Sequence, residues 1–227
     1  MIQVSYRSGG LASLRLAPAF PLPPDPRFVR ALRETCQLAG DWRGRLPPGQ
    51  WIAQQKIDGV RALWIDGDLE TREGFSIGRT DHIRRELREL ERAAGERLFI
   101  DGEFQVDGTL SATTRHFQQR GRYGDAGTFF AFDVLSHAQW LANASTEPLT
   151  ARLAHLERLV ELTQPKSICL IPSRPVATAV EVMGLAQRMW AAGLEGLILK
   201  REDSRYERRR SGAWLKVTRR GAAAGEI

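Results

Sequence analysis

Asp-Gly pairs constrain this chain more than any other feature. From Trp51 onward it runs WIAQQKID, VRALWID and DLETRE, and the breaks fall at Asp58-Gly59 and Asp66-Gly67. Asp and Gly reach the positive-φ backbone that a two-residue turn demands, so each pair between alternating segments predicts a hairpin. LFIDGEFQVDGTL (98–110) reads as two further strands around a turn. GTFFAFDVL (127–135), SICLIPS (167–173), LEGLILKRE (194–202) and SGAWLKVTR (211–219) read as strands. Helical spacing appears in RTDHIRRELRELERAAGE (79–96), with Ile83, Leu87 and Leu90 as its buried stripe and Gly95 as its stop. A second helix spans 150–163, with Leu153, Leu156 and Val160 inward. A third opens on a Thr178/Glu181 capping box and runs to Ala192, before Gly193. Hairpins interspersed with helices predict an α+β fold with mostly antiparallel sheets.

Residues 1–48 read as a lead-in: a short strand at 2–6, the proline-rich PAFPLPPDPRF, a helix FVRALRETCQLAG (28–40) ending at Gly40, and an LPPG turn at 46–49. No apolar run is long enough for a membrane span, and the first residues lack a signal-peptide core, which predicts a cytoplasmic protein that is not bound to a membrane. The cysteines Cys36 and Cys169 form no CxxC pair, and the four histidines show no ligand spacing.

The net charge of +6 suits an anionic partner. Its makeup is more telling. Of 33 basic residues only four are lysine: Lys56, Lys166, Lys200 and Lys216. Arginine is not deprotonated in proteins and cannot serve as a nucleophile, whereas a neutral lysine amine can. In an arginine-biased chain, a surviving lysine marks a place where guanidinium would not do.

Three of these lysines stand in distinctive surroundings: KIDGVR (56–61), EGLILK (195–200) and WLKV (214–217). Between them lie TREG (71–74), IDGEF (100–104) and AFDVL (131–135). In this order the six segments resemble the nucleotidyltransferase motifs of ATP-dependent DNA ligases. The resemblance implies two mainly antiparallel twisted sheets flanked by helices, the ligase-type adenylation domain, over residues 49–220, with a tail at 221–227. It implies that Lys56 attacks ATP to give lysyl-AMP, that AMP passes to the 5′-phosphate at a nick, and that the 3′-OH then seals the strand. It also implies a role for each matched residue. Gln54 would accept a hydrogen bond from the adenine amino group, at a position where many ligases carry Glu. Arg61 and Arg72 would contact ribose, phosphate or the nicked strand. Glu103 would touch the ribose or the metal. Phe132 would stack on adenine, and core packing is the competing reading for an aromatic in an apolar strand. Glu195 would help Glu103 hold Mg²⁺ or Mn²⁺. Lys200 and Lys216 would bind the α-phosphate.

The basic stretch REDSRYERRRSG (201–212) reads as a loop for phosphate-backbone contact, with Arg208, Arg209 and Arg210 as candidates. The expected partner is nicked double-stranded DNA, bound by a monomer in repair or replication. The chain departs from the family pattern at Thr218, where a second lysine usually follows Lys216. About ten residues follow the last motif, too few for the OB-fold domain these ligases usually carry, so the expectation is an adenylation domain alone, with a partner protein supplying DNA clamping. The alternatives are an RNA ligase, an mRNA guanylyltransferase-like enzyme, or a catalytically weak nucleic-acid-binding module with the ligase fold.

Overall fold

The computed structural model describes residues 35–118, 125–219 and 221. The strand at 2–6 and most of the helix at 28–40 lie outside these residues. The expected α+β architecture is present as two five-stranded sheets facing each other, each with helices on its outer side.

The first sheet has the order β1 (Leu38–Asp41), β10 (Arg210–Thr218), β9 (Gly196–Arg201), β2 (Trp51–Lys56), β8 (Arg174–Val176). The second has the order β4 (Asp68–Thr71), β3 (Val60–Ile65), β5 (Leu98–Gln105), β6 (Thr128–Ser136), β7 (Ile168–Leu170). Most pairings are antiparallel, but the β1–β10 and β6–β7 edges are parallel, so both sheets are mixed. The end of the predicted 28–40 helix is corrected here. Leu38–Asp41 is a strand, because β10 offers a ladder that local helix propensity cannot match.

The Asp-Gly pairs do four different jobs. Asp66-Gly67 is the expected hairpin turn, with φ of 53° and 83°, between β3 and β4. Asp107-Gly108, with φ of 49° and 74°, closes a single bridge from Val106 to Thr109. The chain then enters helix α2 (Leu110–Gln118) in place of the second strand expected within 98–110. Asp101-Gly102 lies inside β5 at a β-bulge: Asp101 faces Asp133, Gly102 faces Ala131, and Phe132 has no partner across the ladder. Asp58-Gly59 is not a hairpin. β2 and β3 belong to different sheets, so this pair carries the chain from one to the other. The crossing is tight: a Cβ on Gly59 would stand 2.5 Å from the Phe104 carbonyl oxygen. Asp58 anchors it, its carboxylate accepting from Leu110 N at 3.1 Å and its carbonyl from Gln105 Nε2 at 2.9 Å.

Three apolar layers hold the molecule. Helix α1 (Asp81–Ala94) seats Ile83, Leu87 and Leu90 on the outer face of the second sheet, as its spacing predicts, and Gly95 ends it in the left-handed conformation. Helix α3 (His137–Ala142) buries Trp140 against Phe99. Helix α4 (Leu149–Thr163) packs beside α1, but its buried stripe is Leu149, Arg152, Leu156 and Leu159. The predicted stripe through Leu153 and Val160 is rotated, because Arg152 turns inward to pair with Asp133 at 2.6 and 2.9 Å. Helix α5 (Ala179–Ala191) begins with the predicted capping box, both of its hydrogen bonds present, and covers the outer face of the first sheet. The middle layer, between the sheets, holds Leu63, Phe99, Phe132, Tyr206 and Trp214, and part of it stays open as a cleft.

Candidate active site

The two-residue period of the strands selects what faces the cleft. On β2, Trp51 and Ala53 point outward into the α5 layer, while Gln54 and Lys56 line the cleft. On β9, Leu197 and Leu199 point outward and Ile198 and Lys200 inward. β10 contributes Trp214. The opposite wall, from the second sheet, contributes Arg61, Glu103 and Phe132. The Asp58-Gly59 crossing is what sets Lys56 and Arg61, five residues apart in sequence, on facing walls. The cleft encloses about 500 Å³ including its mouth.

Lys56 stands opposite Gly196, beside Glu195. Both carboxylate oxygens of Glu195 lie 2.6 Å from Lys56 Nζ, and the two side chains are 27% and 32% exposed. The carbonyl of Glu195 accepts from Trp190 Nε1 at 3.2 Å, which ties its turn to the end of α5. Gly196 allows this approach: with φ of 146°, a Cβ there would fall 2.1 Å from the Val217 carbonyl oxygen.

Lys200 is fully buried. Its ammonium donates to the Phe132 carbonyl at 2.9 Å and lies 4.4 and 4.1 Å from the Phe132 and Trp214 ring centres. Burial lowers its pKa to about 7 against the opposing pull of Asp133 and Asp101. Across the cleft, burial raises Glu103 to about 7, resisted by the cations of Arg61 and Lys56.

Arg61 forms a two-pronged ion pair with Asp101, both contacts 2.6 Å, and donates to the Gln37 carbonyl at 3.1 Å. The Tyr206 hydroxyl donates to the same Asp101 and accepts from Gln37 N at 3.0 Å. These four residues close a ring of hydrogen bonds at the back of the cleft. Asp101, Tyr206, Gln37 and Trp214 were not among the sequence candidates. Asp101 and Asp133 carried a signal in retrospect, since a carboxylate within an apolar strand is rarely buried unless paired. Tyr206 and Gln37 carried none.

Gln54 is 2% exposed. Its Nε2 donates to the Ile171 carbonyl at 3.3 Å and to Ser173 Oγ at 3.0 Å, while its Oε1 is buried with no partner. Trp214 Nε1 is also buried without a partner. One acceptor and one donor on cleft side chains thus stand unpaired, which fits a ligand that carries both.

The structure does not bring every candidate to the cleft. Lys216 shares a register position with Ile198 but pairs with Asp41 at 3.2 Å and is not in the lining. Arg72 is exposed, pairs with Glu73 at 2.9 Å, and also lies outside the lining. Arg208 packs 5.3 Å over the Trp140 ring, Arg209 pairs with Glu207 at 2.9 Å, and Arg210 donates to the Ala39 carbonyl. Among the described residues, no three His, Cys, Asp or Glu side chains cluster as a metal site. No helix among them is long and apolar enough to cross a membrane.

The family model for the ATP-dependent DNA ligase domain matches residues 40–218. The chain belongs to that family. It is 31% identical over 234 residues to a probable DNA ligase of Anaeromyxobacter dehalogenans, covering 95% of this chain and 42% of that protein. It is 32% identical over 182 residues to the multifunctional non-homologous end joining protein LigD of Pseudomonas aeruginosa, covering 75% of this chain and 20% of that protein. The chain therefore spans less than half the length of either relative. Its fold matches the ATP-dependent DNA ligase from bacteriophage T7 in complex with ATP, with a TM-score of 0.64 at 17% identity, over 83% of this chain and 69% of that one.

Proposed function

We propose that this ligase-family domain loads a nucleotide onto Lys56 and passes it to nicked DNA. The observation that carries the reading is the placement of Lys56: a partly exposed lysine, paired with Glu195, at a cleft whose walls hold a second, buried lysine, the Glu103 carboxylate and the Phe132 and Trp214 rings.

Lys56 Nζ attacks the α-phosphorus of ATP. An N–P bond forms, the bond to the bridging oxygen breaks, pyrophosphate leaves, and the amine proton goes to solvent. The AMP then moves to the 5′-phosphate of a nick, which restores the amine. The 3′-OH attacks that activated phosphate and AMP departs. Before the first step the Lys56 ammonium must give up a proton to solvent and its pair with Glu195 must loosen, because only the neutral amine has a free electron pair. Lys200 neutralises phosphate charge from the cleft floor, and Phe132 presents a ring face to the base. Arg61, locked by Asp101, keeps its guanidinium fixed beside that ring, 4.7 Å from its centre. Phosphoryl transfer depends mainly on such positioning and neutralisation.

Glu103 and Glu195 act electrostatically on each other and flank Lys56. Two carboxylates suit Mg²⁺ or Mn²⁺ when the remaining oxygens come from phosphate and water, and the ion would supply charge neutralisation at the phosphates. The exposed arginines of the 201–210 segment provide a surface for the DNA backbone.

The test is incubation with magnesium and α-labelled ATP. We expect acid-labile label on the chain, transfer of that label to a nicked duplex, and no label on Lys56→Ala. Absence of label together with failure to seal a pre-adenylylated nick rejects the reading. Label that persists in Lys56→Ala rejects Lys56 as the acceptor.

A further inference from the structure

A guanidinium has five N–H bonds to give, and the fold takes three of those on Arg61. Nε and one hydrogen of the NH2 nitrogen go to the two oxygens of Asp101, and the other NH2 hydrogen goes to the Gln37 carbonyl. The NH1 nitrogen donates to none of the described residues. Arg61 lines the cleft, so the two NH1 hydrogens are what this wall offers a ligand. An anionic oxygen is the acceptor that suits them.

Both acceptors that hold the guanidinium are themselves held. Asp101 is fully buried, and its Oδ2 also accepts from the Tyr206 hydroxyl. The direction of that bond is fixed. Gln37 N can only donate, and it donates to the Tyr206 oxygen at 3.0 Å, so the single phenolic hydrogen is left for Asp101. Burial, with the Asp101 carboxylate beside it, holds the phenol well above its usual value, so that hydrogen stays in place. Gln37 is buried in turn, its side chain donating to Ser211 Oγ at 3.1 Å and accepting from Glu207 N at 2.9 Å. Gln37 precedes the residues that the family model matches, and Tyr206 belongs to none of the six ligase-like segments.

We propose that Tyr206 and Gln37 are positioning residues, which hold Arg61 through Asp101 and through the Gln37 carbonyl so that NH1 alone meets a phosphate oxygen of the substrate. This rests on the nucleotide-loading reading above and names what aims one of its cations. Neither residue lines the cleft, so each acts on the substrate only through Arg61. The Tyr206 ring stands 5.5 and 6.0 Å from the Phe99 and Trp214 rings, and Tyr206→Phe keeps that packing while removing the hydroxyl.

The experiment measures label uptake from α-labelled ATP and sealing of a pre-adenylylated nick, each in a single turnover, for the full chain. Arg61→Ala shows which step the guanidinium serves. Tyr206→Phe should slow that same step about tenfold, the size of one hydrogen bond to a charged group. The double variant should be no slower than Arg61→Ala alone, because the hydroxyl has nothing else to act through. Gln37→Met, which frees that residue from Ser211 and Glu207, should give the same pattern and serves in place of Tyr206→Phe if the latter fails to fold. Unchanged rates in Tyr206→Phe or in Arg61→Ala overturn the inference, and so does a Tyr206→Phe defect that multiplies the Arg61→Ala defect. A second readout needs no activity. Exchange of the Arg61 Nε hydrogen, followed by nitrogen NMR and assigned by its loss in Arg61→Ala, should quicken about tenfold in Tyr206→Phe. Quickened exchange in a protein that neither loads nor seals supports the hold on Arg61 and rejects the nucleotide reading instead. Unchanged exchange overturns the inference.

Discussion

At the scale of single residues, the cleft holds two groups that titrate where their side chains ordinarily do not. Lys200 loses its proton near pH 7 in the fold but near 10.5 when unfolded. Below pH 7 both states are charged, and the fold bears the full cost of burying that charge. As pH rises from about 7 toward 10.5 the folded side chain is neutral while the unfolded one still binds a proton, so stability rises. Glu103, raised to about 7 from 4.5, acts the other way: stability falls as pH rises from 4.5 to 7. The two effects meet in a trough near neutrality. Lys200→Met should therefore be more stable than the wild type at pH 6, and that advantage should shrink as pH approaches 10. Thermal melts of both proteins across this range check it, and a difference independent of pH refutes it. Lysine scarcity pointed toward Lys56 and Lys200 because a chemical constraint shows in residue choice. It said nothing of Asp101, Tyr206 or Gln37, whose roles exist only once residues 64 to 169 positions apart in sequence meet.

Among the secondary-structure elements, α4 shows how one ion pair rotates a helix. Arg152 takes a position that apolar spacing assigns to the core, and its guanidinium also donates to the Glu147 and Ser204 carbonyls at 2.7 and 2.9 Å. It thus ties α4 to the bulged strand that carries Phe132 and to the loop that carries Tyr206. Arg152→Leu strands the buried Asp133 carboxylate and should cost about 3–5 kcal/mol. Arg152→Leu with Asp133→Leu removes both charges and should cost clearly less than the single change, as urea unfolding would show. A double variant as unstable as the sum of its parts would refute this account. The helices that read true from sequence, α1 and α5, carry their own boundaries in Gly95 and in the Thr178/Glu181 box. The Asp-Gly pairs misled because the dipeptide specifies a permissive backbone and not a partner. Asp66-Gly67 makes a hairpin, Asp58-Gly59 changes sheets and Asp101-Gly102 marks a bulge, and the strands on either side decide which. Phe132 owes its place to that bulge, which leaves Phe132 and Leu135, three residues apart, both facing inward.

For the whole molecule, the excess of arginine predicts salt-sensitive binding. The affinity for nicked duplex should fall steeply with salt, and Arg209→Ala should reduce the log–log slope by about one if Arg209 meets a phosphate, as anisotropy titrations would read. An unchanged slope removes Arg209 from the interface. Arg208 is expected to affect stability as well, because it packs on Trp140. The two-sheet plan was legible as a class because ordered motifs resembled a known family, yet the pairing of distant strands was not. That pairing also governs how the molecule comes into being. Every strand of the second sheet lies between residues 60 and 170, so it is complete well before synthesis ends. β2 waits much longer, for β8 and then β9. At ordinary translation speeds Lys56 leaves the ribosome on the order of ten seconds before the strand that will hold it in register. A nascent chain interrupted between β8 and β9 holds β2 by one neighbour only, at Trp51–Ala53, and leaves Lys56, the proposed nucleophile, without a strand beside it; uptake of a nucleotide would then report that translation has passed β9.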